Sequence, residues 1–129
     1  MATPRLVRSA AYLLVSNVDT ALHYYRDRLG FKVDYAAGTP VEFAIVSRDG
    51  LPLMLKLGGP SSRIEPMAAR GGTWDVYFWV TGVDALHQDV TARGAMFAQP
   101  LGDQPLHGTR EFAVFDPDGH VLAFGEEQG

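Results

Sequence analysis

The sequence predicts an α+β fold in which a β-α-β-β-β unit is written twice. Three observations carry this. The phrase "EFAVFDPDGH", from Glu111 to His120, echoes "EFAIVSRDGL", from Glu42 to Leu51. Upstream, "LLVSNVDTALHYYRDRLGF" from Leu13 finds a partner in "FWVTGVDALHQDVTARGAMF" from Phe78, with Val18-Asp19 matching Val83-Asp84 and Gly30 matching Gly94. Finally, Asp49-Gly50 and Asp118-Gly119 fall between the last two extended runs of each copy, where a hairpin turn is expected. An internal repeat of this length is an architecture before it is a motif.

Each copy opens with an apolar run rich in aromatic and β-branched residues, "AAYLLV" and "WDVYFWV", which favours strand. Val-Asp then begins a helix, with the Asp side chain free to accept from the first-turn N–H groups. Val18, Leu22, Tyr25 and Leu29 share one helical face, as do Val83, Leu86 and Val90. Gly30 and Gly94 end the helices by supplying a left-handed cap. Three strands follow in each copy: "FKVDYA", "VEFAIVS" and "LPLMLKL", then "AMFAQ", "REFAVFD" and "HVLAFGE". The expected organisation is one domain over residues 1–129. Unit one covers about 6–57, a Gly/Pro/Ser-rich linker or lid 58–72, and unit two about 73–127.

The totals narrow the function. The 129 residues are 47% hydrophobic and 20% charged, enough for one cored domain. A net charge of -4 without a basic run argues against nucleic acid and anionic membranes. The absence of cysteine removes disulfides, thiolate metal sites and a Cys nucleophile. Ala10–Val15 is too short for the core of a signal peptide, and no segment reaches the roughly 18 apolar residues of a membrane span. A cytoplasmic protein is expected.

The elements "VSNVDTALHYYRDRLGF", "WVTGVDALHQDVTARGA" and "REFAVFDPDGHVLAFGE", with the Tyr24-Tyr25…Leu29-Gly30-Phe31 run and the Asp116-Pro117-Asp118-Gly119 turn, resemble the vicinal oxygen chelate superfamily. That superfamily holds glyoxalase I, extradiol dioxygenases, fosfomycin-resistance enzymes and bleomycin-resistance proteins. The resemblance implies that the two units form a curved mixed sheet that encloses a cup. In metal-dependent members, His, Gln or Glu ligands stand on the first and last strands of each unit, facing into the cup. The resemblance carries those places onto Ala10, Met54, Asp75 and Ala123. Divalent transition-metal sites need several N or O donors at about 2.0–2.2 Å, and this set offers one carboxylate. No metal and no cofactor are therefore expected. The four histidines, His23, His87, His107 and His120, read as surface or loop residues.

Side chains alternate along a strand. Tyr12 and Leu14 are expected in the cup with Ala10, and Tyr77 and Trp79 with Asp75. Ala113 and Glu111 should face Ala123, and the echo then sets Ala44 and Glu42 beside Met54. The candidate ligand-binding residues are Tyr12, Glu42, Met54, Asp75, Tyr77, Trp79, Arg110 and Glu111, with Arg110 read as a partner for Asp75 or for an anionic group. Such a cup could stack on flat rings and pair with a cation. The pattern is nearest to bleomycin-resistance-type proteins, and the resemblance implies a non-catalytic homodimer that sequesters a cationic, aromatic ligand. Two rivals stand beside this reading. One is a metal-dependent lyase, isomerase, dioxygenase or thiol transferase of the same superfamily; the other is a structural dimer with a filled cup.

Overall fold

The computed structural model describes residues 3–59 and 63–129. Unit one contains β1 (Ala11–Val15), α1 (Val18–Asp27), β2 (Lys32–Ala37), β3 (Phe43–Arg48) and β4 (Leu51–Leu57). Unit two contains β5 (Val76–Trp79), α2 (Val83–Arg93), β6 (Met96–Gln104), β7 (Thr109–Phe115) and β8 (Val121–Glu127). Each unit makes a four-stranded mixed sheet, in the order β1-β4-β3-β2 and β5-β8-β7-β6. The first strand of each unit pairs parallel to the last, and the remaining pairs are antiparallel. The two sheets do not close into a barrel. Of the expected linker, residues 60–62 lie outside the described residues, and a single 3-10 turn occupies Met67–Arg70.

The helix faces read from the spacing are the faces that pack. Val18, Leu22, Tyr25 and Leu29 are buried, as are Val83 and Val90, with Leu86 partly so. They join one core that takes Leu13, Val46 and Leu55 from the first sheet and Phe112, Leu122 and Phe124 from the second. Burying each of the larger side chains contributes about 1.5–3 kcal/mol. Because this core is shared, each sheet gives one face to it and keeps the other outward. Two of the large outward-face residues stay open in the single chain: Tyr12 is 58% and Trp79 67% exposed.

The helix starts differ from expectation. Asn17, not Asp19, caps α1, its side chain accepting from Thr20 N at 2.9 Å. At α2 the cap position is Gly82, which has no side chain to accept with; Glu126 of β8 accepts instead from Gly82 N at 3.1 Å and Val83 N at 3.0 Å. Asp19 and Asp84 lie one step inside, where a carboxylate still complements the helix dipole. Gly94 does end α2 in the left-handed conformation, whereas α1 closes on Arg28, two residues before Gly30. Strand β6 runs on through Gln104, so the irregular stretch around His107 is shorter than the sequence suggests.

The two hairpins explain a slip in register. In unit one, β3 continues to Arg48 and turns on Asp49 (φ 52°) and Gly50 (φ 78°), and Arg48 pairs with Leu51. In unit two, β7 stops at Phe115, which pairs with Val121 across a five-residue loop. Pro117 cannot donate to a ladder, and the Asp116 carboxylate accepts from the N–H groups of Asp118 and His120, both at 2.9 Å. Beyond the turn the copies stay aligned, so Met54 matches Ala123. Before it they differ by one residue. Ile45, not Ala44, pairs with Met54, and Ala44 is buried in the core. Glu42 accordingly precedes β3 as an exposed residue and does not share the face of Met54.

Candidate functional site

The outward face of the second sheet is built on small residues. Ala113 pairs with Ala123 and Glu111 with Gly125 across β7 and β8, while Tyr77 and Trp79 of β5 lie beside Ala123 and Gly125. With no side chain at Gly125, the Tyr77 ring can lie across β8; a Cβ there would collide with the Tyr77 hydroxyl. Aromatic rings then accumulate. Trp74 stands 4.7 Å and Trp79 5.1 Å from Tyr77, centroid to centroid, and His107 is 5.8 Å from Trp74.

Beneath these rings lies Glu111, only 1% exposed. It accepts hydrogen bonds from Thr109 Oγ1 at 2.7 Å, Tyr77 Oη at 3.0 Å and Gln99 Nε2 at 3.0 Å. Burial pushes the Glu111 carboxyl up, but the bonds from Thr109, Gln99 and Tyr77 together outweigh it and hold the group below its ordinary value. The face therefore carries a negative charge whose hydrogen-bond partners are neutral donors, with His107 nearby also favouring the charged form. A cation over the rings would gain both the carboxylate field and the ring quadrupoles. Above it, Trp79 projects into open space.

The other expected site residues are placed as follows. Tyr12 and Met54 pair with each other on the outward face of the first sheet. Asp75 lies at the entrance to β5 and is committed to backbone: one oxygen accepts from Met67 N at 3.0 Å, the other from Val121 N at 2.8 Å. It clamps the 3-10 turn to the start of β8. Arg110 is not its partner. Adjacent strand residues face opposite ways, and Arg110 binds Asp84 at 2.9 Å and Asp103 at 3.2 Å.

His120 is the residue that sequence reasoning missed. Read as a surface or loop residue, it does lie in the β7-β8 loop but is only 5% exposed, with Nε2 against Leu14 O at 2.7 Å and Nδ1 3.5 Å from Asp75 Oδ1. Nearby, the buried Tyr25 hydroxyl donates to Asp116 at 3.0 Å. Burial pushes the Asp116 carboxyl up; it also pushes the Tyr25 phenol well up, with the adjacent Asp116 adding to that rise. These contacts join unit one to the loop of unit two. The doubled Asp in "DPDGH" was the only signal for them.

The family model described as Glyoxalase/Bleomycin resistance protein/Dioxygenase superfamily matches residues 6–124. The chain belongs to that superfamily. No curated protein matches it. Among solved structures, this superfamily member is similar to TioX from Micromonospora sp. ML1, at 26% identity, covering 94% of this chain and 98% of that one, with a TM-score of 0.73. It is also similar to the bleomycin-binding protein of bleomycin-producing Streptomyces verticillus, solved with copper(II)-bleomycin, at 25% identity, covering 98% and 99%, with a TM-score of 0.70. A glyoxalase-related enzyme from Clostridium phytofermentans shares the fold at 20% identity, covering 96% and 97%, with a TM-score of 0.75.

The donor set does not fit the metal of the superfamily's metalloenzymes. Met54 and Ala123 occupy the matched strand positions beside Tyr12 and Tyr77, Ala10 offers no donor, and both Asp75 oxygens hold backbone N–H groups. Among the described residues no three His, Cys, Asp or Glu side chains converge in a metal-holding group. No described helix is long and apolar enough to cross a membrane.

Proposed function

We propose that this superfamily member is a non-catalytic binding protein that sequesters a cationic, aromatic small molecule. The observation that carries the reading is the ring cluster of Trp74, Tyr77 and Trp79 laid over the buried, hydrogen-bonded Glu111 carboxylate. Rings supply flat surfaces for stacking, and the carboxylate supplies the complementary charge. The likeness to a protein solved with copper(II)-bleomycin supports this ligand chemistry.

A cytoplasmic homodimer is part of the proposal. Tyr12 and Tyr35 on the first sheet, and Trp79 and Met96 on the second, leave large apolar side chains uncovered on the outward faces. Patches of this kind mark association or ligand surfaces. In the proposed dimer the ligand lies in a groove between one protomer's second sheet and its partner's first.

Both tryptophans of the chain lie in this cluster, so intrinsic fluorescence reports its occupancy. Titration with copper(II)-bleomycin and with smaller cationic aromatics should give saturable quenching, with the ligand recovered chemically unchanged. Sedimentation should give twice the 14.1 kDa chain mass. Turnover of the ligand, or no response to any cationic aromatic at saturating concentration, would sink the reading.

A further inference from the structure

The two units meet at two pseudo-equivalent junctions, and the structure closes only one of them. At the first, the end of β1 meets the five-residue loop of unit two. Ser16 N donates to Asp118 at 3.1 Å, His120 holds Leu14 O, and Tyr25 reaches Asp116. At the second, the end of β5 faces the hairpin of unit one, where Asp49-Gly50 is too short to reach across. A Cβ built at Gly50 or at Gly82 would meet nothing within 4 Å. What remains is a cavity of about 790 Å³, much larger than the pocket of about 280 Å³ beside Asp75 and His120.

We propose that this open junction is a second small-molecule site, taking a flat apolar molecule that carries a positive charge. Its inner wall is aromatic and aliphatic: Phe31, Phe78, Phe124 and Leu86. Phe78 and Phe124 are stacked at 5.2 Å with 10° between ring planes, and Phe31 meets Phe78 edge-on at 6.2 Å. The volume falls within the roughly 300–1,000 Å³ of small-molecule pockets. Its rim is acidic. Asp49 and Glu127 line it and carry no ion pair among the described residues. The one lining arginine, Arg48, is already spent on Asp89 at 3.0 Å and on Leu29 O at 2.7 Å. Glu126, also on the rim, keeps its charge because its bonds from Val83 N and Gly82 N hold its carboxyl low. A cationic head therefore meets net negative charge where it leaves an apolar floor.

The site opens on the core side of the second sheet, between α2 and the β3-β4 hairpin; it shares Trp79, at the end of β5, with the sheet face of the proposed function but includes neither Tyr77 nor Glu111. It follows from a three-residue difference between two hairpin loops of a duplicated unit.

The test uses 9-aminoacridine as the cationic probe, with neutral acridine and anionic anilinonaphthalene sulfonate as comparisons, titrated by calorimetry into the full chain. Ala85 is exposed on α2 and lines the cavity, so Ala85→Phe fills it from the solvent side without entering the core. This variant should weaken 9-aminoacridine binding about tenfold or more, equivalent to about 1.4 kcal/mol. Thr81→Trp, at another exposed lining position, serves if Ala85→Phe does not fold. Asp49→Asn with Glu127→Gln should weaken the cation about fivefold and leave acridine unchanged; Asn tolerates the positive φ at position 49. Tyr77→Leu should leave this binding intact. No 9-aminoacridine binding, binding indifferent to both filling variants, or equal affinity for the anionic dye would overturn the proposal.

Discussion

On the outward face of the second sheet, Tyr77, Trp79, Glu111 and Gly125 occupy the places that Tyr12, Leu14, Phe43 and Lys56 hold on the first. One register thus carries two chemistries. The first face is mostly apolar, and Phe43 there needs no hydrogen-bond partner. The second buries a carboxylate, which is tolerated only because Thr109, Gln99 and Tyr77 all donate to it. Gly125 is the hinge of the difference, since Tyr77 reaches Glu111 only by crossing a residue without a side chain. A duplicated unit has kept its backbone plan and specialised one copy for charge and ring stacking.

The largest effect expected from breaking this asymmetry is at Gly125. Gly125→Val forces the Tyr77 ring off β8 and should cost about 1–3 kcal/mol in urea unfolding, while Lys56→Val at the matched position should change stability by less than about 0.5 kcal/mol. Equal effects would mean that Tyr77 does not depend on the glycine.

A smaller and pH-dependent effect is expected at Glu111. Its folded-state pKa is held below the unfolded value, so its stabilisation is present above the unfolded pKa and is lost as pH falls through the folded one. Between about pH 6 and pH 3 the wild type should lose more stability than Glu111→Gln. Near pH 7 the same variant should cost about 1–3 kcal/mol, because donors around the site are left imperfectly paired. Parallel pH profiles for the two proteins would contradict the assigned role.

The smallest stability effect belongs to Trp79. Exposed as it is, Trp79→Ala should shift unfolding by no more than about 0.5 kcal/mol, and so should Leu14→Ala. Thermal melts of the two variants check this. A loss of several kcal/mol at Trp79 would favour a structural ring over a ligand contact.

Much of this was legible in the sequence, and the misses have physical causes. The repeat, the helix faces and the shared face of Tyr77, Trp79 and Glu111 follow from local periodicity. The register of β3 does not, because the echo between "EFAIVSRDG" and "EFAVFDPDG" hides where each strand stops. Pro117 and the Asp116 side chain end β7 early, while β3 runs on to Arg48. That single residue moved Ala44 into the core and separated Glu42 from Met54. Arg110 could have been placed by alternation from Glu111. Asp75 and His120 could not, since their partners, Met67, Val121 and Leu14, are set by tertiary packing.

The central claim is that ligand recognition belongs to the ring-and-carboxylate face of the second sheet. The most direct test is calorimetric titration of copper(II)-bleomycin into wild type, Trp79→Ala and Leu14→Ala. Saturable binding is expected, with Trp79→Ala losing about tenfold or more in affinity and Leu14→Ala much less. Equal losses at the two matched positions, or binding untouched by either, would contradict it.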